Sequence, residues 1–492
     1  MKRIIDLVQE KPIYGWLLFL STVVIVFLVG LFGATIIERR SEARLSYQLI
    51  KPLKDWEPRN EVWGENFPRE FETYKSTLDT TFHSKYGGNA ARDLLEEDPN
   101  NVILWAGYAF SRDYNQARGH YYAIEDIRKS LRTDVPQPAT CWTCKSTDVP
   151  RVMNEVGAAT FYKVPWADRG HEIVNNIGCQ DCHDPKTMNL RITRPALAEA
   201  FQRRGKDITK ATHQEMRSLV CAQCHVEYYF KGKEEKYLTF PWDKGFSADE
   251  MEAYYDAIEH VDFVHALSKT PVIKAQHPDY ELYMTGVHAE RNVSCADCHM
   301  PYKSEGGVKF TNHKIMSPLA NVASACQVCH RESETTLIKN VYDRQDRVKE
   351  LLLMAGNALV RSHLEAKFAM DKGVSEQDMQ PIRKLIRHAQ WRWDWVSAAN
   401  GVGFHSPNVA LRTLATSIQK SQEAHAEIVR ALAKRGYTDR IILPDVSTKE
   451  KAQKYIGLDM TKLEAQKETF LKDVVPQWDA KAMERQGVLE KN

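Results

Sequence analysis

Cys141-Trp142-Thr143-Cys144-Lys145 is the stretch on which the reading of this chain turns. Two cysteines separated by two residues can form thioether bonds to the two vinyl groups of a haem. In the usual signature a histidine follows and supplies an axial iron ligand. That usual form occurs four times, as Cys179-Gln-Asp-Cys182-His183, Cys221-Ala-Gln-Cys224-His225, Cys295-Ala-Asp-Cys298-His299 and Cys326-Gln-Val-Cys329-His330. In the first motif alone, Lys145 stands where the histidine belongs. All ten cysteines fall in these five pairs, so none is left for a disulfide or a thiol nucleophile. The rival reading is structural zinc, whose paired knuckles lie about 15–20 residues apart. Here the first cysteines of successive pairs are 38, 42, 74 and 31 residues apart, and zinc gives no reason for the histidines. The uneven spacing also excludes a solenoid of fixed period.

Outward from the motifs, composition sets bounds. A formal charge of +2 over 492 residues, without a basic block or a glycine-rich phosphate loop, gives no sign of a nucleic-acid partner. Residues 1–12 read as a cytoplasmic N-terminus and Ile13 to Ile37 as a charge-free run long enough to span a bilayer. That run exceeds the core of a cleaved signal peptide, and no clean A-x-A site follows, so an uncleaved anchor is expected. Thioether attachment of haem is an extracytoplasmic process, which places the bulk of the chain on the periplasmic face. Residues 38–69, charged and broken by Pro52 and Pro58, read as a tether, and 70–340 as the five-motif core. Residues 341–440 carry long amphipathic helices. Val348, Leu351, Leu352, Ala355 and Leu359 share a face that ends near Lys372-Gly373; a second stripe opens at Pro381; a third is capped by Ser406 before Pro407 and runs to Gly436. The tail, 441–492, is polar and uninformative. The fold class expected is mainly α: a multihaem cytochrome c core with long C-terminal helices and one N-terminal transmembrane helix.

A haem iron with two histidine ligands has no vacant position and can only pass electrons. Four CxxCH sites need four distal histidines, and His120, His171, His277, His288, His313 and His405 are available. Lysine must lose its proton to bind iron, against an ordinary pKa near about 10.4. A wire has no use for that, so Lys145 marks an iron with an open face.

The whole pattern resembles the pentahaem cytochrome c nitrite reductases, the ammonia-forming family, over about residues 60–435. CWTCK followed by four CxxCH motifs carries the resemblance, with Trp63-Gly-Glu-Asn-Phe-Pro68, Arg118-Gly-His120, Leu131-Arg-Thr133, the segment Cys221–Phe230 and Lys274-Ala-Gln-His277 in support. The resemblance implies a catalytic set of Lys145, Arg132, Tyr228 and His277, with Arg128 and Arg118 as alternatives to Arg132. It implies distal ligands His313, His120, His405 and His288 for the second to fifth haems, leaving His171 without a haem role. It also implies a calcium ion held by the Glu227 carboxylate, the Tyr228 and Lys274 carbonyls and the Gln276 side chain, oxygen donors suited to a hard cation. The expected cofactors are therefore five covalently attached c-type haems and one calcium ion. The expected activity is six-electron reduction of nitrite to ammonium, in a homodimer joined through the long helices and fed by a membrane quinol-oxidising multihaem cytochrome. Two other readings stay open: a multihaem electron-transfer protein without a substrate of its own, and an enzyme for another nitrogen or sulfur oxyanion.

Overall fold

The computed structural model describes residues 11–45, 49–134 and 137–491 and divides at Leu53–Lys54 into two units. The first contains helix α1 (Pro12–Leu45), whose segment Pro12–Arg40 is apolar and unburied. Its 29 residues reach about 43 Å at about 1.5 Å per residue, more than the ~30 Å hydrocarbon layer. Most of the segment 1–12 read as cytoplasmic lies outside the described residues.

The second unit, from Lys54, is built of short helices, among them α2 (Asn100–Leu104), and three two-stranded antiparallel ladders. These ladders are β1 (Tyr229–Lys231) with β2 (Tyr237–Thr239), β3 (Phe263–Val264) with β4 (Pro271–Val272), and β5 (Tyr302–Glu305) with β6 (Val308–Thr311). The last turns through Gly306 and Gly307, both at positive φ (57° and 80°), which glycine adopts without steric cost and a tight hairpin requires. Long helices follow: α3 (Glu334–Asp371), α4 (Glu376–Ser397) and α5 (Pro407–Ala433), packed on one another. Val348, Ala355 and Leu359 of α3 and Ile382, Ile386, Trp393 and Val396 of α4 are buried, as the stripes predict. Gly373, at φ 78°, closes α3.

Two helix starts and one cap differ from the sequence reading. Helix α3 starts at Glu334, capped by Ser333 Oγ, which accepts from Thr336 N at 3.2 Å. Helix α4 starts before Pro381, because Ser375 Oγ accepts from Asp378 N at 3.2 Å; the proline's missing N–H falls opposite the exposed Gln377, where water can serve the carbonyl. Ser406 makes no side-chain cap on α5; its hydroxyl donates instead to the Thr285 carbonyl at 3.1 Å. The polar tail also folds, as α6 (Lys449–Tyr455), α7 (Met460–Asp473) and α8 (Val475–Lys491). Its few apolar residues act as anchors: Trp478 is buried 5.4 Å from the Trp166 ring, and Phe470 lies 5.9 Å from the same ring.

A buried imidazole pair ties α3 to the β3–β4 loop. His363 stacks on His265 at 3.7 Å; His363 Nε2 donates to Gln390 Oε1 and Nδ1 faces Ser268 Oγ, while His265 Nε2 meets the Ile103 carbonyl at 2.8 Å. His265 Nδ1 accepts N–H groups from Leu267 and Ser268, so a proton there would meet two donors. Burial pushes both imidazoles down, His363 to about 4. An unfolded imidazole titrates near about 6.5, so the unfolded chain takes up protons first. Stability is therefore expected to fall on acidification from pH ~6.5 towards ~4, by about 1.4 kcal/mol per pH unit for each imidazole. The guanidinium midpoint at pH 7 and pH 5 measures this, and His363→Gln should flatten the difference.

Candidate active site

Each histidine that closes a CxxCH motif has a second imidazole across from it. The ring centroids are 6.2 Å apart for His183 and His313, 6.4 Å for His225 and His120, 6.3 Å for His299 and His405, and 6.3 Å for His330 and His288. With metal–nitrogen bonds of about 2 Å, two imidazoles facing one metal ion stand about 6 Å apart. The four pairs thus suit one iron each. No disulfide joins any of the ten cysteines, which leaves every pair available for thioether attachment. The backbone is shaped for these pairs: a Cβ on Gly286 would stand 2.0 Å from the carbonyl oxygen of His405. His171 lies apart, its Nε2 3.5 Å from Glu172.

The motifs are neighbours in space. The Cys144 and Cys224 thiols perturb each other's ionisation, as do those of Cys221 and Cys295, and Cys224 acts on Cys182 and Cys326 on Cys298. The third motif therefore adjoins the first, second and fourth, and the fifth adjoins the fourth.

The lysine motif is surrounded differently. Lys145 follows a 3-10 turn (Ala139–Trp142) fixed by buried Trp142, whose indole donates to the Trp166 carbonyl at 2.9 Å. Among the described residues Lys145 Nζ has no hydrogen-bond or ion-pair partner. His277, placed by the chain leaving β4, lies close enough that burial and the Lys145 ammonium hold its imidazole down at about 3. A lysine bound to metal as the neutral amine would no longer exert that charge. Tyr228, just before β1, has its phenol pushed up by burial and by the Cys144 and Cys141 thiols beside it. Arg132 lies over the Phe110 ring at 4.4 Å, its Nε donating to Ser130 Oγ at 3.1 Å, and its charge favours the Cys141 thiolate. The two alternative arginines are committed elsewhere. Arg118 pairs with Asp126 at 2.6 Å and Arg128 with Asp479 at 2.9 Å, whereas Arg132 has no ion pair among the described residues.

Beside this group, Glu227 is buried with no ion pair among the described residues; its carboxylate accepts from Gln276 N at 2.6 Å and Tyr255 hydroxyl at 2.9 Å. Gln276 Nε2 donates to the Lys274 carbonyl at 3.2 Å, so three of the four expected calcium donors adjoin, and Tyr228 follows Glu227 in the chain. Burial pushes the Glu227 carboxyl well up, and the one nearby ammonium, Lys274, is held 3.0 Å from Asp394. A buried carboxylate short of a counter-charge beside carbonyl oxygens fits a hard cation.

Sequence reasoning missed several supports. Lys467 on α7 is buried and donates to the Arg128 carbonyl at 3.2 Å and Thr133 Oγ1 at 2.9 Å, flanking Arg132 from a tail that carried no signal. Asp279, two residues beyond His277, contacts His225 and was in plain view as a carboxylate beside a site histidine.

Comparison with known proteins accords with this architecture. The family model for cytochrome c552 matches residues 59–487. Cytochrome c-552 of Porphyromonas gingivalis is 57% identical over 481 residues, 96% of each chain, and that of Aliarcobacter butzleri is 44% identical over 483 residues, 95% of each chain. A solved cytochrome c nitrite reductase from Desulfovibrio desulfuricans, described with two calcium sites in its catalytic subunit, superimposes with a TM-score of 0.74 at 32% identity, covering 84% of this chain and 91% of that one. With four imidazole pairs and ten thiols arranged on that fold, the chain belongs to the cytochrome c552 family.

Proposed function

We propose that this chain reduces nitrite to ammonium at a haem ligated by Lys145, with electrons relayed through four haems each held between two histidines. The observation that carries the reading is the contrast among the five motifs. Four have an imidazole opposite their own at 6.2–6.4 Å, and the CWTCK motif has instead an unpaired lysine whose charge acts on His277, with Arg132 and Tyr228 electrostatically linked to its cysteines. The similarity to the Desulfovibrio nitrite reductase supports the same substrate.

A haem bound at Cys141 and Cys144 would supply a reversible electron couple and a site for an anion. The protein supplies the rest. Arg132, without a carboxylate partner, offers its guanidinium to nitrite and to the charge that develops as N–O bonds break. His277, relieved of the Lys145 charge though burial still holds its imidazole down, delivers protons, and the Tyr228 hydroxyl would donate a hydrogen bond to bound nitrogen species. A calcium ion held by Glu227, Gln276 and the Tyr228 and Lys274 carbonyls would add positive potential and fix the two segments that carry Tyr228 and His277. Thioether chemistry puts the catalytic unit outside the cytoplasmic membrane, with α1 as its anchor, α3 to α5 as the homodimer contact and a membrane quinol-oxidising cytochrome as donor.

The test is nitrite consumption by the purified protein with reduced viologen, with ammonium measured at the end. Stoichiometric ammonium and no released nitric oxide are expected. A five-haem protein that leaves nitrite untouched overturns the reading in favour of an electron wire. Lys467→Met should leave haem content unchanged, lower stability by about 1–3 kcal/mol through the unpaired Arg128 carbonyl, and raise KM for nitrite as the Arg132 segment loosens; thermal unfolding and steady-state kinetics measure both.

A further inference from the structure

We propose that Asp279 sets the potential of the haem held by Cys221, Cys224 and His225, keeping it more negative than its neighbours so that it donates strongly to the lysine site. The proposal rests on the haem assignment above and adds to it a positioning residue that tunes one relay.

Five of the axial histidines differ in what their second ring nitrogen meets. His183 Nδ1 faces the Met188 carbonyl at 2.8 Å, His299 Nδ1 the Met316 carbonyl at 2.9 Å, and His313 Nδ1 the Thr311 carbonyl at 2.8 Å. His330 Nδ1 lies 3.9 Å from Glu332, with both side chains about half exposed, where water screens the charge. His225 is the exception: its Nδ1 meets the carboxylate of Asp279 at 3.2 Å, and Asp279 is 7% exposed. That carboxylate is held in place by Asn400, whose N–H and Nδ2 donate to it at 2.6 and 2.9 Å. No lysine or arginine pairs with it among the described residues.

A buried anion hydrogen-bonded to an axial imidazole makes that ligand more basic and favours the ferric, more positive state of its iron. Low dielectric preserves the effect. The position matters as much as the chemistry. Cys224 adjoins Cys144, so this haem is the relay beside the lysine site, and the Asp279 N–H donates to the His277 carbonyl at 2.6 Å. The step served is the transfer of one electron from the reduced haem at Cys221 and Cys224 to the iron at Lys145; Asp279 stays ionised, and no bond forms or breaks at it.

Potentiometric titration of the haem spectra in the whole protein tests this. Asp279→Asn, which keeps the shape and removes the charge, should shift one of the four low-spin components to more positive potential, leave the others in place and lower turnover about tenfold. Asn400→Ala should act with the opposite sign, because it strips the Nδ2 donor from the same Asp279 oxygen that faces His225 and leaves more charge on the ring. Asp279→Glu should restore part of the shift. Unmoved potentials in a five-haem Asp279→Asn protein overturn the proposal. If that variant loses a haem, Asn400→Ala decides: no negative shift there overturns it equally. If instead the unaltered protein lacks five haems or four low-spin components, the haem assignment itself has failed.

Discussion

His277→Ala is expected to lower nitrite turnover by at least about a hundredfold while all five haems stay attached. The magnitude follows from what the imidazole does. Reducing nitrite to ammonium consumes eight protons with six electrons, and a positioned general acid contributes about 10²–10⁴-fold to a step it serves. Among the described residues, the other histidine whose ionisation the Lys145 charge lowers is His120, which faces His225 instead. His225 and His120 face each other, and so do the other three pairs, while the stacked His265 and His363 sit in a buried network of their own. The haems are indifferent to the change because His277 has no imidazole opposite it and lies outside every CxxC motif. Mass spectrometry of the intact protein counts the haems, and viologen-coupled kinetics gives the turnover. Near-normal turnover would remove His277 from the mechanism. Loss of kcat with KM little changed would mark a proton donor, and a raised KM with kcat kept would mark a nitrite-binding charge instead.

How much of this was legible beforehand differs by element. The five cysteine pairs and the Lys145 anomaly were plain, because covalent attachment demands a fixed local spacing. The distal histidines carried no local signal: His120 and His405 lie far in sequence from the motifs they face, and chain order alone cannot pair them. Long helices were legible through their stripes, yet their starts were misread where a serine cap competes with a proline; Ser375 reaches Asp378 N, so α4 begins five residues before Pro381. The tail was opaque for a simpler reason. Trp478 and Phe470 are isolated apolar residues in a charged segment, and an anchor of one or two side chains produces no periodicity. Arg132 is one of three candidates by sequence, and ion pairing distinguishes it: Arg118 pairs with Asp126 and Arg128 with Asp479.

The largest loss of stability is expected at a residue with no chemistry of its own. Asp394 of α4 and Lys274 form an ion pair at 3.0 Å, the two side chains 0% and 1% exposed, and Asp394 Oδ2 also accepts the Ala275 N–H at 2.6 Å. Burial pushes the Asp394 carboxyl up to about 6, with the Lys274 ammonium opposing the rise, so the pair is charged at neutral pH. Such a pair gains little over an apolar substitute, but removing one member leaves the other charge in the interior. Asp394→Ala strands Lys274, packed over the Trp105 ring, and should cost about 3–5 kcal/mol. Lys274→Met/Asp394→Leu, which removes both charges at similar volume, should recover most of it. Guanidinium unfolding followed by tryptophan fluorescence measures both variants. The loss should also reach the site, because the stretch that Asp394 grips continues through the Lys274 carbonyl and Gln276 to His277. Asp394→Ala is therefore expected to slow nitrite turnover and weaken calcium binding together, and a variant that lost stability while keeping both would show that Glu227 and Tyr255, not α4, hold this segment in place.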